Sequence, residues 1–170
     1  MINNEAKLSP HLALPSEAAL SHSSELDGLH LSPHFTLAEL TKTSAKTADG
    51  NVPARVHIEN LKNLCVNWLE PLREKSGAPI VINSGYRSEA VNRAIGGVKG
   101  SNHLTGCAVD IRVSGIEQAI RYAAILLDIA DGTQRDYDEL LIERSPKGTY
   151  WLHFAVRPKE NRRKVRFIQT

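Results

Sequence analysis

Asp138-Glu139-Leu140-Leu141-Ile142-Glu143-Arg144-Ser145-Pro146-Lys147-Gly148-Thr149-Tyr150-Trp151-Leu152-His153-Phe154-Ala155-Val156 is the stretch on which the fold turns. Two runs rich in β-branched, aromatic and leucine residues, Asp138 to Glu143 and Thr149 to Val156, flank Ser145-Pro146-Lys147-Gly148. Proline and glycine at that point favour a tight reversal, so the reading is a β-hairpin. Upstream, Ala108 to Val113 reads as a third strand. Ile80-Val81-Ile82, ending in the turn residues Asn83-Ser84-Gly85, reads as a fourth.

Between and before these strands the apolar period lengthens to that of helices. Leu61, Leu64, Cys65, Trp68, Leu69 and Leu72 recur at three- and four-residue spacing, which predicts an amphipathic helix over Ala54 to Lys75. Pro71 is expected to kink its last turn and Gly77 to close it. Ile116, Ala119, Ile120, Ala123 and Leu127 predict a second helix from Ile116 to Ala130, stopped by Gly132. Thr36-Leu37-Ala38-Glu39 has the form of a capping box and predicts a short helix. Ser88 to Ile95 predicts another, with Ser88 as its cap, and Gly96, Gly97 and Gly100 then form a loop. Helices that precede and interleave with a small, mostly antiparallel sheet define the α+β class, with the helices packed on one side.

The chain has 170 residues, about one domain's worth, with 41% hydrophobic and 24% charged residues. That balance excludes a wholly disordered chain. Two cysteines, Cys65 and Cys107, cannot make a disulfide framework; each reads as a packed thiol. No run of ~18 apolar residues predicts a membrane-spanning helix. Residues 1–30 carry one base and four acids without periodicity and read as a disordered leader, in which His11, His22 and His30 have no metal-like partners. Residues 31–156 read as the working domain. Residues 157–170, with six bases and one acid, read as a basic tail. Such a tail attracts polyanions. Nucleic-acid binding would rest on it alone, and the tail lacks the motifs of a nucleic-acid reader. Met1 to Asp27 has no basic start followed by an apolar stretch, so the chain is expected to be cytoplasmic as synthesised.

Chemistry concentrates in Ser101-Asn102-His103-Leu104-Thr105-Gly106-Cys107-Ala108-Val109-Asp110. A turn at Gly106 would bring His103 and Asp110 together, and an imidazole nitrogen and a carboxylate both suit zinc at ~2.0–2.2 Å. His153 is the histidine of the later strands and the candidate third ligand, leaving a fourth position open. The plainer alternative is that His103 and Asp110 hydrogen-bond to each other while His153 is a satisfied core histidine.

Ser101–Asp110 fits the pattern S-x-H-x-x-G-x-A-x-D, Ser84-Gly85-Tyr86-Arg87-Ser88 lies upstream of it, and Trp151-Leu152-His153 follows as W-x-H. In these three motifs the chain resembles the zinc D-alanyl-D-alanine carboxypeptidases, a group that includes vancomycin-resistance dipeptidases and the peptidase domains of phage endolysins. The likeness covers roughly residues 31–156. It implies a hedgehog/D-Ala-D-Ala-peptidase-like fold and zinc held by His103, Asp110 and His153. It also implies Arg87 facing a substrate carboxylate and Ser101 lining the site. An arginine fork can pair both carboxylate oxygens, which a lysine cannot.

The activity so implied is metal-assisted hydrolysis of peptidoglycan stem peptides by a monomer, after release such as phage lysis if it acts on the wall. Here the chain departs from better-known relatives. Where many carry an acid three residues before the last ligand, it has Tyr150. Glu143, at the end of the preceding strand, is the choice for general acid/base, with Asp138 and Glu139 as reserves. The rival reading is a non-catalytic, zinc-stabilised wall-binding or virion-structural module.

Overall fold

In a computed structural model, residues 28–170 are described; the expected leader lies outside them except for its last three residues. A small hairpin opens the domain, with β1 (His30–Ser32) antiparallel to β2 (Phe35–Thr36). Helix α1 (Leu37–Thr41) follows directly, and the Thr36 hydroxyl caps it by accepting from the Glu39 amide at 3.2 Å, as the capping box predicts. Leu31, Phe35, Leu37 and Leu40 bury this unit against the core.

The long amphipathic helix is present, but its middle turn is wider than expected. Helix α2 (Arg55–Leu64) runs into a π-helical turn, Cys65–Leu69, and on into α3 (Glu70–Ser76) without a break. Pro71 lacks an amide hydrogen for the preceding turn, and the Glu70 amide bonds back to the Cys65 carbonyl in the five-residue step of a π turn. A widened turn thus takes the place of the expected kink. Gly77, at φ 65°, closes the helix as predicted.

Next come β3 (Ile82–Ser84), α4 (Glu89–Ala94, capped by Ser88), a 3₁₀ turn (Asn102–Thr105) and β4 (Ala108–Arg112). Helix α5 spans Ile116–Thr133. It runs past Gly132 and ends at Gln134, which takes the left-handed φ of 54° and donates its side-chain amide to the Asp131 carbonyl at 2.7 Å. The predicted hairpin is β5 (Glu139–Arg144) and β6 (Tyr150–Ala155).

The basic end is not a free tail. Residues Lys164–Gln169 form β7, which adds parallel to β5 with Lys164 opposite Glu139 and Ile168 opposite Glu143. The sheet order is therefore β3-β4-β6-β5-β7, mixed, with three antiparallel pairings and one parallel.

Alternation along the strands divides the sheet into two faces. Val109, Ile111, Leu152, Phe154, Leu140 and Ile142 are buried on one, where α5 and the α2–α3 helix pack. Trp68, from the π turn, lies 5.0 Å from the Phe154 ring and 6.5 Å from the Tyr137 ring, centre to centre. The opposite face carries Asp110, His153, Leu141 and Arg166 in a single cross-strand row. Hydrophobic burial on one side thus fixes a polar row on the other.

Candidate metal centre

His103 reaches that row by a short route. The 3₁₀ turn that carries it is capped by the Ser101 hydroxyl, which accepts from the His103 amide at 3.3 Å. Gly106, at φ 69°, then turns the chain into β4, and a methyl group there would lie 2.5 Å from the His57 carbonyl oxygen. The Arg87 amide donates to the His103 carbonyl at 3.1 Å, tying the Ser84–Ser88 segment to the same turn.

Three ligand atoms converge. His153 Nδ1 is 2.9 Å from Asp110 Oδ1, His103 Nε2 is 3.2 Å from that oxygen, and the two ring nitrogens are 3.3 Å apart. All three residues are buried. Zinc bonds of ~2.0–2.1 Å at tetrahedral angles place neighbouring donors ~3.3 Å apart, so this triangle has the size of one face of a zinc tetrahedron.

Proton positions support a cation at this point. His103 Nδ1 lies 2.6 Å from the Gly85 carbonyl oxygen, an acceptor, and must carry the hydrogen. Burial pushes the His103 pKa down, keeping the ring neutral. Its Nε2 therefore presents a lone pair toward Asp110 Oδ1 and His153 Nδ1, free to accept a proton or a metal ion. Burial also opposes charge on His153, but the Asp110 and Glu139 carboxylates on its two nitrogens raise its pKa to about 9. Asp110 is held well below the usual carboxylate range, its burial outweighed by the two imidazoles.

A second layer of groups orients these ligands. The Arg87 guanidinium donates through Nη2 to Asp110 Oδ2 and through Nε to Ser84 Oγ at 2.8 Å, leaving Oδ1 turned toward the imidazoles. Glu139 Oε2 lies 3.6 Å from His153 Nε2. Glu139 is itself held by Lys164 Nζ at 2.9 Å, Arg162 Nη2 at 3.0 Å and Asn102 Nδ2 at 3.2 Å. His153 and then Lys164 bring its pKa down to about 2, against the effect of burial. Histidine ligands braced by carboxylates in this way are a recurrent feature of metal sites.

The triangle opens into a cleft of about 1100 Å³, lined by Arg87, Ser101, His103, Asp110, Glu143 and His153 among others. All six residues singled out in the sequence therefore border one space. Glu143 is half-buried, its side chain makes no hydrogen bond among the described residues, and burial raises its pKa. Asp138, one of the reserves, is fully buried and gripped by Arg162 Nε and Nη2, both at 2.7 Å, and by Asn102 at 2.8 Å, so it supports the site from beneath. Glu139, the other reserve, braces His153. Tyr150 packs against the core and Trp151 lines the cleft. Cys107 is buried with its thiol directed to the Thr105 carbonyl, outside the ligand triangle.

Sequence reasoning missed Asn102, Arg162 and Lys164. The signal available was charge: an acidic pair at 138–139 and a basic run at 157–166 that could pair with it.

The sequence model for the family described as Peptidase M15 matches residues 33–133, more than half of the chain. The zinc D-Ala-D-Ala carboxypeptidase of Streptomyces albus G is 35% identical over 80 residues, which are 46% of this chain and 31% of that protein. The chain thus matches about a third of the relative's length. His103 and Asp110 lie inside the family match, and β6 adds His153 from beyond it. On this sequence match, with the ligand triangle in place, the chain belongs to the Peptidase M15 family.

Proposed function

We propose that this protein is a zinc peptidase that hydrolyses peptide bonds in bacterial peptidoglycan stem peptides, at or beside D-alanine. The observation that carries this reading is the ligand triangle of 2.9, 3.2 and 3.3 Å edges, open on one side to a cleft that also holds Glu143 and Arg87. Family membership and the D-Ala-D-Ala carboxypeptidase activity for which the Streptomyces relative is named support this substrate class.

His103 Nε2, Asp110 Oδ1 and His153 Nδ1 would hold the ion. When bound, zinc supplies Lewis acidity toward a peptide carbonyl and toward water. Glu143 carries the proton traffic: as a carboxylate it takes a proton from the attacking water and then delivers it to the departing amine. Its half-buried position in the cleft and its freedom from side-chain hydrogen bonds among the described residues suit a group that must both accept and release a proton, and burial raises its pKa. Arg87, locked by Asp110 and Ser84, presents its remaining N–H groups to a substrate carboxylate. Ser101 holds the His103 turn in shape and borders the bound peptide.

The test is mass spectrometry of purified muropeptides incubated with zinc-loaded protein. Loss of a single alanine identifies a carboxypeptidase, and release of a longer fragment an endopeptidase. Glu143→Gln is expected to retain zinc while losing about 10²–10⁴-fold in rate. Absence of hydrolysis by the wild-type protein on every muropeptide would leave the non-catalytic wall-binding module in its place.

A further inference from the structure

The segment after β6 lies beyond the family match, yet it forms a wall of the same cleft. Arg157, Lys159, Arg162 and Lys164 line it. Their turn is closed by reciprocal bonds: the Arg157 amide donates to Asn161 Oδ1 at 2.8 Å, and Asn161 Nδ2 donates to the Arg157 carbonyl at 2.9 Å. The Lys164 amide then donates to the Asp138 carbonyl at 3.0 Å. This wall is built before any ligand arrives.

Its charges are layered. The side chains of Asp138 and Glu139 are 0% and 15% exposed, whereas those of Arg157, Arg162 and Lys164 are 35%, 51% and 29% exposed. Negative charge is beneath and positive charge on top. Arg157, Arg162 and Lys164 share Asp138 and Glu139, the exposed Glu160 also pairs with Arg157, and Lys159 has no hydrogen bond or ion pair among the described residues. Arg162 uses Nε and Nη2 on the buried acids, and its Nη1 makes no hydrogen bond among the described residues. What a molecule in the cleft meets is a pre-positioned cationic surface, the arrangement that binds a carboxylate without the cost of ordering the arginines first.

We propose that this wall is a carboxylate subsite, and that the protein prefers peptides bearing an acidic side chain a short distance along the chain from the bond over the metal triangle. The proposal rests on the peptidase reading and adds the substrate's charge to it. A long polyanion fits the wall less well. The positive surplus is small and is flanked by Glu143 in the cleft and Glu160 at its rim, 3.9 Å from Arg157.

The experiment uses the zinc-loaded full chain and synthetic peptides in which a single glutamate is walked along the sequence, each paired with its glutamine counterpart. At one position, or two adjacent ones, glutamate is expected to raise kcat/KM by about tenfold, mainly through KM. The preference should shrink in about 1 M salt, where the screening length falls to ~3 Å. Lys159→Ala and Arg157→Gln should each lower the glutamate-to-glutamine ratio several-fold. Lys75→Ala, on α3 outside the cleft, should leave it unchanged. A ratio is insensitive to partial unfolding of a variant. Equal kcat/KM for both members of every pair overturns the proposal. If no peptide is cleaved, calorimetric binding of the same pairs decides: tighter binding of a glutamate member keeps this subsite while the peptidase reading falls, and equal binding removes the subsite.

Discussion

Glu139 and Glu143 are four residues apart on one strand, face the same cleft, and are held differently. The difference lies in their neighbours. Glu139 is surrounded by Lys164, Arg162, Asn102 and His153, which keep it ionised and still. The Glu143 side chain has no hydrogen bond among the described residues and burial raises its pKa, so on the proposed reading it is the acid left to exchange a proton. The two isosteric changes should therefore separate. Glu139→Gln removes the negative charge behind His153 and is expected to weaken zinc affinity by about 10–100-fold, read by competition with a chelator. Glu143→Gln should leave that affinity near wild type and lower turnover by about 10²–10⁴-fold.

Among the elements, the turn before β4 is constrained twice over. Gly106 combines a left-handed φ of 69° with a His57 carbonyl oxygen 2.5 Å from where a methyl group would sit. Gly77 has a similar φ, 65°, with open space around it. Alanine at 77 should thus cost only the conformational preference, about 1 kcal/mol. Alanine at 106 should cost that and a backbone displacement, for a total of about 3 kcal/mol or more. Because the turn carries His103, Gly106→Ala should also lower zinc affinity, whereas Gly77→Ala should not. Thermal melts with and without zinc, on both variants, measure the contrast.

For the molecule as a whole, stability is linked to two ions. Three buried ligand groups facing one point mean that zinc binds the folded chain in preference to the unfolded one. Chelation should lower Tm and added zinc restore it, with about 4 kcal/mol gained at free zinc a thousandfold above Kd. The proton acts through Asp138. Burial opposes its ionisation, but bonds from Arg162 and Asn102 prevail and hold its pKa below the usual value. A depressed carboxyl lends stability that is complete above the unfolded pKa of ~3.9 and is lost as pH falls through the folded value. Tm should therefore drop on the acid side, and Asp138→Asn should flatten that part of the profile while lowering Tm at neutral pH. The same ion pairs anchor β7, so acid should loosen the carboxylate wall together with the sheet edge.

Apolar periodicity was enough to read the long helix, α5, the β5–β6 hairpin and the α+β class, because each element declares its buried face within its own run of residues. The three candidate ligands were legible for a related reason: His103 and Asp110 share one turn, and His153 ends a short aromatic motif. Strand β7 was not legible. Val165 and Phe167, on the face that elsewhere packs into the core, remain exposed here, and its Lys164 finds its acid, Glu139, on a strand 25 positions earlier. The π turn, the parallel pairing, the bracing of His153 by Glu139 and the seating of Arg87 on Asp110 likewise join positions whose nearness depends on sheet register or on the packing around Pro71. Local pattern determined most of the elements and the reactive side chains they carry. Only the packed sheet decided where they meet, because the separation of Asp110 from His153, 43 positions along the chain, is set by strand register and not by spacing.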